Sequence, residues 1–411
     1  MWLLKAKPSL WLLLLATSIA NSSSTDIKPN LIKPSLIELS LIEPSLIELS
    51  LINQHWQQPI TTGLDPEQLK PQSCGGCHQS QFADWRNSLH AKAMGPGVIG
   101  QFQDDATLNI HPRSKCLHCH APLQSQQQSL TASLANKPAS QLHQQGIICA
   151  ACHIRDKHWY GPGQQKTSTS TNTSTNTSTS HPRAQSHGAF ADPAFCASCH
   201  QFPADGPRLE GKLIQNTYFE WQASGQKRTC QNCHMPGRRH LWQGIHNKAM
   251  VLSGLTITSQ WLPQKGKEVA ATLSITNTGV GHYFPTYVTP RVVIQGFVQD
   301  INGQMIADSL SEYEIMRAVA LDLSDEYFDT RLAPGETVDF DFQTAIPANS
   351  NASAVVLKIM VEPDYFYHQF FNQKLAQGIK PPAQKALTSA RDNAKNSAYV
   401  LFEQKHSLEP Y

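Results

Sequence analysis

The sequence predicts a mainly helical and irregular domain packed on an antiparallel β-sandwich domain, with a helical C-terminal tail. Three observations lead to this fold class. All ten cysteines lie in a region, residues 71–250, for which we expect short helices and long loops. Residues 251–363 hold no cysteine and contain several strand-length apolar or alternating segments separated by turn residues. Residues 364–411 then show apolar side chains at helical spacing.

The N-terminal 20 residues have the features of a secretory signal peptide. Lys5 and Lys7 precede the apolar run 10–15, and Ser18-Ile19-Ala20 fits the small-x-small cleavage rule. An uncleaved membrane anchor is the alternative, but the apolar run is short for that role. We therefore expect cleavage after Ala20, a mature chain without a transmembrane segment, and export to the oxidising periplasm.

Residues 21–70 form a low-complexity segment. Within it, residues 31–52 repeat a ten-residue unit in which Leu-Ile pairs recur with proline. The copies are short and few for a solenoid, so a linker is favoured. A second biased tract, Thr167–Ser180, consists of Thr, Ser and Asn and is expected to be a disordered surface loop.

All ten cysteines fall into five CxxCH motifs, which we number in chain order. They are Cys74-x-x-Cys77-His78, Cys116-x-x-Cys119-His120, Cys149-x-x-Cys152-His153, Cys196-x-x-Cys199-His200 and Cys230-x-x-Cys233-His234. This pattern is typical of c-type haem attachment. Two thiols add to the haem vinyl groups, and the following histidine ligates the iron from the proximal side.

Two other interpretations of the cysteines compete with haem attachment. An exported protein with an even cysteine count could be stapled by disulfides, and paired CxxC units could form zinc knuckles. Neither requires a histidine after every pair. The motifs therefore predict five covalently bound haem c groups, and residues 71–250 are interpreted as a pentahaem cytochrome c domain.

Secondary structure after residue 250 is predicted from apolar patterning. Five strands and two helices are expected; they are Leu252–Ser259, Glu268–Thr276, Arg291–Asp300, Thr337–Thr344 and Ala354–Val361 as strands, and Asp364–Gln377 and Gln384–Lys405 as helices. The strands would form the β-sandwich-like domain at 251–363.

Several segments resemble multihaem cytochromes c of the cytochrome c554-like family. They are Trp85–Met94 (WRNSLHAKAM), Cys149–Arg155 (CAACHIR), Cys196–Phe202, Gln231–Pro236 (QNCHMP), Arg238–His246 (RRHLWQGIH) and Thr278–Thr286 (TGVGHYFPT). The likeness covers roughly residues 70–365. It implies bundled haems in close contact and electron transfer outside the inner membrane. Relatives in this family include both carriers and enzymes acting on small nitrogen compounds.

Five histidines outside the motifs are candidates for the sixth iron ligand. His90, His240, His246 and His282 lie in the family-like segments, and His187 lies just before the fourth motif. Bis-histidine ligation gives a low-spin electron-transfer centre, whereas a five-coordinate iron can bind substrate. His143 and His158, which flank the third motif, are held in reserve, and packing is the expected role of Met94 and Met235.

The sequence thus favours a periplasmic pentahaem cytochrome in a respiratory electron-transfer chain. Its partners would be quinol-linked or soluble redox proteins. The near-balance of 33 Lys+Arg against 31 Asp+Glu argues against nucleic-acid binding. The alternative is a multihaem oxidoreductase with one open haem, acting on hydroxylamine, nitrite or sulfite; the residues single out no catalytic side chain for it.

Overall fold

The computed structural model describes residues 58–104, 110–163, 184–263, 265–346 and 350–408. The predicted signal peptide, residues 1–20, the repeat at 31–52 and the Thr/Ser tract at 167–180 lie outside the described residues. Within the described ranges, no helix combines the length and apolarity needed to cross a bilayer.

Short helices and irregular connections make up the cysteine-rich part. The α-helices are α1 Pro71–Gly75, α2 Gln79–Asn87, α3 Pro96–Asp104, α4 Ile110–His120, α5 Gln124–Leu134, α6 Cys149–His153, α7 Pro193–His200, α8 Thr217–Ala223, α9 Cys230–His234 and α10 Lys248–Gly254. Single 3₁₀ turns lie at His90–Lys92, Leu142–Gln145, Gly188–Ala191 and Pro236–Arg238. Small strands complete this part, namely β1 Ile154–Arg155, β2 His158–Gly161, β3 Gln185–Ser186, β4 Arg208–Leu209 and β5 Lys212–Leu213.

Two larger antiparallel sheets follow. Their strands are β6 Leu255–Trp261, β7 Glu268–Asn277, β8 Arg291–Asp300, β9 Ser311–Ile315, β12 Thr337–Ala345, β13 Ala352–Glu362 and β14 Tyr399–Ser407, with β10 Arg317–Val319 and β11 Glu326–Asp329 as a separate hairpin and a 3₁₀ turn at Ala307–Ser309. One sheet has the order β12-β7-β6 and the other β14-β13-β8-β9. Two helices, α11 Tyr365–Ala376 and α12 Ala383–Lys395, lie between β13 and β14 in the chain.

The inward faces of both sheets contribute to one apolar core. Leu273 and Phe342 of one sheet are buried together with Ile294 and Leu357 of the other. Gly296 makes this close approach possible, because a Cβ at that position would lie 2.3 Å from the ring of Phe342. The alternation of buried and exposed side chains along β7 follows from the two-residue period of a strand with one face on a core.

Four of the predicted strands match observed strands closely, but the strand predicted at Leu252–Ser259 is wrong in its first three residues. Residues 248–254 form α10, whose first turn is capped by the Asn247 side chain accepting from the backbone amide of Met250 at 2.8 Å. The strand begins only at Leu255. A short apolar run fits both a helix and a strand by pattern alone, and the cap decides here.

The helical C-terminal tail is the second correction. The predicted helix Gln384–Lys405 ends at Lys395, and residues 399–407 form β14, which pairs antiparallel with β13. The edge of β13 supplies backbone partners for this segment, and Leu401 is buried in the shared core. Tertiary pairing therefore overrides the helical spacing of its side chains.

A buried ion network joins the cysteine-rich part to the sheets. Arg331 pairs with Glu220 of α8 (3.0 Å) and with Asp329 (2.8 Å). Arg317 is 1% exposed and donates to the backbone carbonyl of Leu213 in the β4–β5 hairpin at 2.7 Å. These contacts fix the loop between β7 and β8 against α8, because Glu220 also accepts from the backbone amide of Tyr283 at 3.3 Å.

Candidate multihaem site

The five CxxCH motifs share a local helical structure. Helices α4, α6, α7 and α9 each end at the motif histidine, and in the first motif the amide of His78 donates to the carbonyl of Cys74 at 2.9 Å. One helical turn places side chains three residues apart on the same face. The two thiols of a motif therefore point to the same side, as attachment to one porphyrin edge requires.

The ten motif cysteines, all within the described residues, form no disulfide with one another, and several of them lie beside a cysteine of another motif. The contacts join Cys74 with Cys149, Cys196 with Cys230, and Sγ of Cys119 with the carbonyl oxygen of Cys199 at 3.8 Å. They bring the first motif to the third, the second to the fourth and the fourth to the fifth. Among the described residues, no group of three or more His, Cys, Asp or Glu side chains is arranged to hold a metal ion alone, as a zinc knuckle would require.

Backbone carbonyls fix the tautomer of three motif histidines. In each, Nδ1 lies within hydrogen-bond distance of a carbonyl oxygen; the partners are Ala93 for His120 (2.5 Å), Tyr160 for His153 (2.8 Å) and Gln243 for His234 (2.6 Å). A carbonyl only accepts, so Nδ1 carries the proton and the lone pair is on Nε2. That is the tautomer in which Nε2 can ligate an iron.

Three motif histidines stand opposite a second histidine that the sequence proposes as a distal ligand. The ring centres are 6.2 Å apart for His153 and His240, 6.2 Å for His200 and His90, and 6.5 Å for His234 and His282. A metal–imidazole bond of about 2 Å on each side puts two trans imidazole centres about 6 Å apart. The three pairs therefore have the separation of bis-histidine ligation.

Three imidazoles of these pairs are surrounded by other protein groups that disfavour their charged form. Burial lowers the pKa of His90 to about 3 and the pKa values of His200 and His282 to about 4 each. These rings are therefore neutral near pH 7, as an iron ligand must be. His200 nevertheless keeps accessible side-chain surface, a combination that fits a residue facing a large prosthetic group.

A residue of α2 holds the backbone of His240 in place in the pair His153–His240. Asp84 of α2 is 7% exposed and accepts from Nε and Nη2 of Arg239 at 2.7 and 2.6 Å, and from the backbone amide of His240 at 3.0 Å. The Arg239 guanidinium lowers the pKa of the Asp84 carboxyl. Asp84, which follows the first motif in the chain, thus holds the segment of Arg239 and His240, which faces the third motif.

The loop between β7 and β8 brings the sheets into the site. Asn277, 1% exposed, donates from Nδ2 to the carbonyls of His282 and Leu332, both at 3.1 Å. The ring of Tyr283 lies under the guanidinium of Arg331, 5.0 Å from it. These contacts hold the loop between β7 and β8 in the position where His282 faces His234. The sheets therefore contact the cysteine-rich part through side chains and are connected to it by more than the polypeptide chain.

Two of the five proposed distal ligands are not placed opposite a motif histidine by any ring contact between described residues. Nε2 of His246 is 2.9 Å from a carboxylate oxygen of Asp364, which engages the nitrogen that would face an iron. Nδ1 of His187 accepts from the amide of Ala189 at 3.2 Å. An accepting Nδ1 implies that Nε2 carries the proton, the wrong tautomer for ligation through Nε2.

The reserve histidines and the methionines have other surroundings. His143 is buried, and its Nδ1 lies 2.9 Å from the hydroxyl of Ser129. Met94 is 4% exposed in an apolar cluster with Leu117, in keeping with a packing role. His120 is a motif histidine for which, in the part of the chain that the structure describes, no second imidazole stands opposite.

Sequence reasoning did not single out two aromatic residues that contact the candidate ligands. The ring of Trp242 lies against both His90 and His240, and the hydroxyl of Tyr287 lies 2.6 Å from Nδ1 of His200. Both residues adjoin proposed distal histidines, two positions after His240 and five after His282. Their closeness in sequence to a proposed ligand could have drawn attention to these two residues. It does not show which of the neighbouring side chains contacts a candidate iron ligand.

Comparison with known proteins gives two findings. Residues 73–154 match the family model described as cytochrome c554 and c-prime. The fold is similar to the crystal structure of a penta-heme cytochrome c552 from Thermochromatium tepidum, with a TM-score of 0.59 and 19% identity over 84% of this chain and 100% of that chain. A search of curated proteins found no match.

These findings agree with the resemblance carried by the motifs. Residues 73–154 are thus similar to cytochrome c554 and c-prime, and the fold of the chain is similar to that of a penta-heme cytochrome, a class of protein that binds haem c covalently. Two features of the structure fit that group: the helical turn puts both cysteines of a motif on one face, and the Nδ1 contacts of His120, His153 and His234 leave Nε2 available for an iron.

Proposed function

We propose that this multihaem c-type cytochrome is a periplasmic electron carrier with five haem c groups, working in a respiratory electron-transfer chain. The observation that carries the proposal is the set of three histidine pairs at 6.2, 6.2 and 6.5 Å. Each pair would occupy both axial positions of one iron and exclude substrate from it. When bound, the haems supply one-electron redox centres.

The chain's own residues would hold these centres in a fixed order. The ten motif cysteines would form the thioether links, and His78, His120, His153, His200 and His234 would be the proximal ligands. His240, His90 and His282 would be distal ligands to the third, fourth and fifth motifs. The contacts between cysteines of different motifs support two groups of neighbouring centres, one of the first and third motifs and one of the second, fourth and fifth motifs.

The export signal and the redox partners belong to the same proposal. Covalent haem attachment outside the inner membrane agrees with a signal peptide at 1–20 and cleavage after Ala20. A quinol-linked or soluble cytochrome would then donate or accept the electrons.

The second candidate function is a multihaem oxidoreductase with one open haem, acting on hydroxylamine, nitrite or sulfite. One observation favours it: His120 is held in the ligating tautomer by Ala93, while the described residues place no imidazole opposite it. The second motif is therefore where an open coordination site would be sought.

A single preparation tests both candidates. The protein is produced with its signal sequence in a host that matures c-type cytochromes, and the intact mass and N-terminal residue are measured. The proposal expects a chain that begins at Asn21 and carries five haems, and expects a Cys149→Ala/Cys152→Ala variant to carry one haem fewer. Steady-state turnover of hydroxylamine, nitrite or sulfite that is lost in a His120→Ala variant would contradict the electron-carrier proposal and support the oxidoreductase.

A further inference from the structure

We infer that Trp242 is a positioning residue shared by two redox centres, because its indole sets the orientation of both His90 and His240. This inference rests on the proposed function, in which these histidines are distal ligands to the fourth and third motifs. It adds a residue whose indole, among the described residues, contacts the rings of His90 and His240 and not that of a motif histidine.

The geometry places one indole between two imidazoles. The ring centre of Trp242 lies 4.5 Å from that of His90, with 58° between the planes. It lies 5.0 Å from the ring centre of His240, with the planes at 83°, an edge-to-face contact. Aromatic pairs at these separations are favourable and depend on their mutual angle.

His90 has few other groups to orient its ring. Among the described residues, the imidazole of His90 contacts the rings of Trp242 and His200, and neither of its ring nitrogens forms a hydrogen bond. An axial imidazole bound through one nitrogen still rotates about the metal–nitrogen bond unless packing or a hydrogen bond stops it. The indole is therefore the contact available to fix the plane of His90.

The ring of His240 has one hydrogen-bond partner more than that of His90, although the bond is long. Its Nδ1 lies 3.1 Å from the carbonyl of Arg238, and its backbone amide donates to Asp84 at 3.0 Å. The backbone contacts fix where the residue lies, and the perpendicular indole limits how the ring turns. Trp242 therefore acts on both ligands, more strongly on His90.

The backbone of Trp242 is itself anchored to the fifth motif. Its amide donates to the carbonyl of His234 at 3.0 Å, and the next residue, Gln243, accepts from Nδ1 of His234 at 2.6 Å. Trp242 adopts a left-handed conformation with φ of 43°, a strain that persists where surrounding contacts determine the position. A side-chain substitution leaves these backbone bonds available, so the indole can be tested by itself.

Electron paramagnetic resonance of the ferric protein tests the inference. The largest g value of a low-spin bis-histidine haem changes with the angle between its two imidazole planes. The three bis-histidine signals are assigned by their loss in His90→Ala, His240→Ala and His282→Ala. Trp242→Leu is expected to shift the His90 and His240 signals and to leave the His282 signal in place, and Trp242→Phe to shift the same two signals less.

Trp261 offers a matched control. It is a half-buried tryptophan that stacks at 4.8 Å on His406, a histidine far from the motifs in the sequence and outside the proposed ligand set. Trp261→Leu is expected to move none of the three signals.

The outcomes separate the two claims. A wild-type spectrum without three low-spin bis-histidine signals would refute the ligand pairs of the proposed function. With those signals present, a Trp242→Leu spectrum in which neither or only one of the His90 and His240 signals moves overturns the role of Trp242 alone. If Trp242→Leu does not fold with its full haem content, Trp242→Phe decides by the same two signals.

Discussion

The hydroxyl oxygen of Tyr287 lies 2.6 Å from Nδ1 of His200, although the two residues are 87 positions apart. Tyr287 belongs to the loop that carries His282, so one loop of the β domain contacts the candidate ligands of two different motifs. For His120, His153 and His234 the same hydrogen bond goes to a backbone carbonyl. His200 is therefore a motif histidine whose Nδ1 partner can be removed by changing a side chain.

Replacing Tyr287 by Phe is expected to raise the reduction potential of the haem at the fourth motif. Burial raises the pKa of Tyr287 to about 12, so the phenol is neutral near pH 7. If Nε2 of His200 ligates the iron, the proton is on Nδ1, and the phenol oxygen accepts it. When the Tyr287 oxygen accepts this hydrogen bond, the His200 imidazole gains anionic character, which stabilises ferric iron. A hydrogen bond contributes about 1 kcal/mol, so its loss corresponds to a rise on the order of tens of mV.

A spectroelectrochemical titration of wild type and Tyr287→Phe measures this change. Tyr283→Phe is the matched control in the same loop. The Tyr283 ring packs under Arg331, and within the part of the chain that the structure describes its hydroxyl forms no hydrogen bond. Equal potentials in wild type and Tyr287→Phe would contradict the assignment of Tyr287 to His200.

Removing His282 is expected to convert one low-spin haem into a high-spin haem that binds cyanide. His282 faces His234 at 6.5 Å and is presented by the braced loop between β7 and β8. His246→Ala is the matched control, because His246 lies in the same part of the chain but pairs with Asp364. Optical and resonance spectra that change in His246→Ala and stay the same in His282→Ala would reverse the ligand assignment.

The three histidine pairs predict an order of spectroscopic signals. The interplanar angles are 12° for His234–His282, 31° for His153–His240 and 46° for His200–His90. Nearly parallel imidazoles give smaller largest g values than strongly twisted ones. We expect the largest g value to rise in that order, with signals assigned by the loss of each in a distal histidine variant; the opposite order would contradict the ring orientations.

The ion network beside the haem-facing loop predicts an acid-sensitive stability. Burial raises the pKa of Asp329, but Arg331 and Lys212 outweigh it and lower the pKa to about 2, from a usual 3.8. A depressed carboxyl pKa contributes stability above the unfolded pKa that disappears as pH falls through the folded one. Asp329→Asn should therefore cost about 2 kcal/mol near pH 7 and progressively less between about pH 4 and pH 2.

Urea unfolding at a series of pH values measures this difference. Asp341→Asn is the control, because Asp341 accepts from Thr272 at 2.7 Å on the exposed face of a sheet and has no cation in that contact. A wild-type minus Asp329→Asn difference that stays constant down to pH 2 would show that the ion pairs do not determine the pKa of Asp329.

The parts of the fold that the sequence predicts are those with local signals. Strand patterns at 268–276 and 291–300 coincide with β7 and β8 because each strand places one face on the shared core. The strand at 399–407 was missed because its pairing with β13 depends on a partner about 45 residues away. The side chains of that segment do have helical spacing, but backbone pairing with β13 determines its conformation.

The candidate site divides in the same way. The motif residues are readable because thiol spacing and the following histidine are fixed by the chemistry of one haem. His90, His240 and His282 each lie near a motif histidine in the structure, but the two members of a pair are 110, 87 and 48 positions apart, so only folding brings them together. His187 and His246 look equivalent in sequence, yet contacts with Ala189 and Asp364 engage their ring nitrogens.

The central claim is that three of the haems have histidine on both sides of the iron. Low-temperature electron paramagnetic resonance and optical spectra of the purified ferric protein, with and without cyanide or nitric oxide, test it most directly. The account predicts at least three low-spin bis-histidine haems that are inert to both ligands, with any reactive haem located at the first or second motif. Ligand binding at the third, fourth or fifth motif, identified by loss of the response in the motif variants, would contradict it.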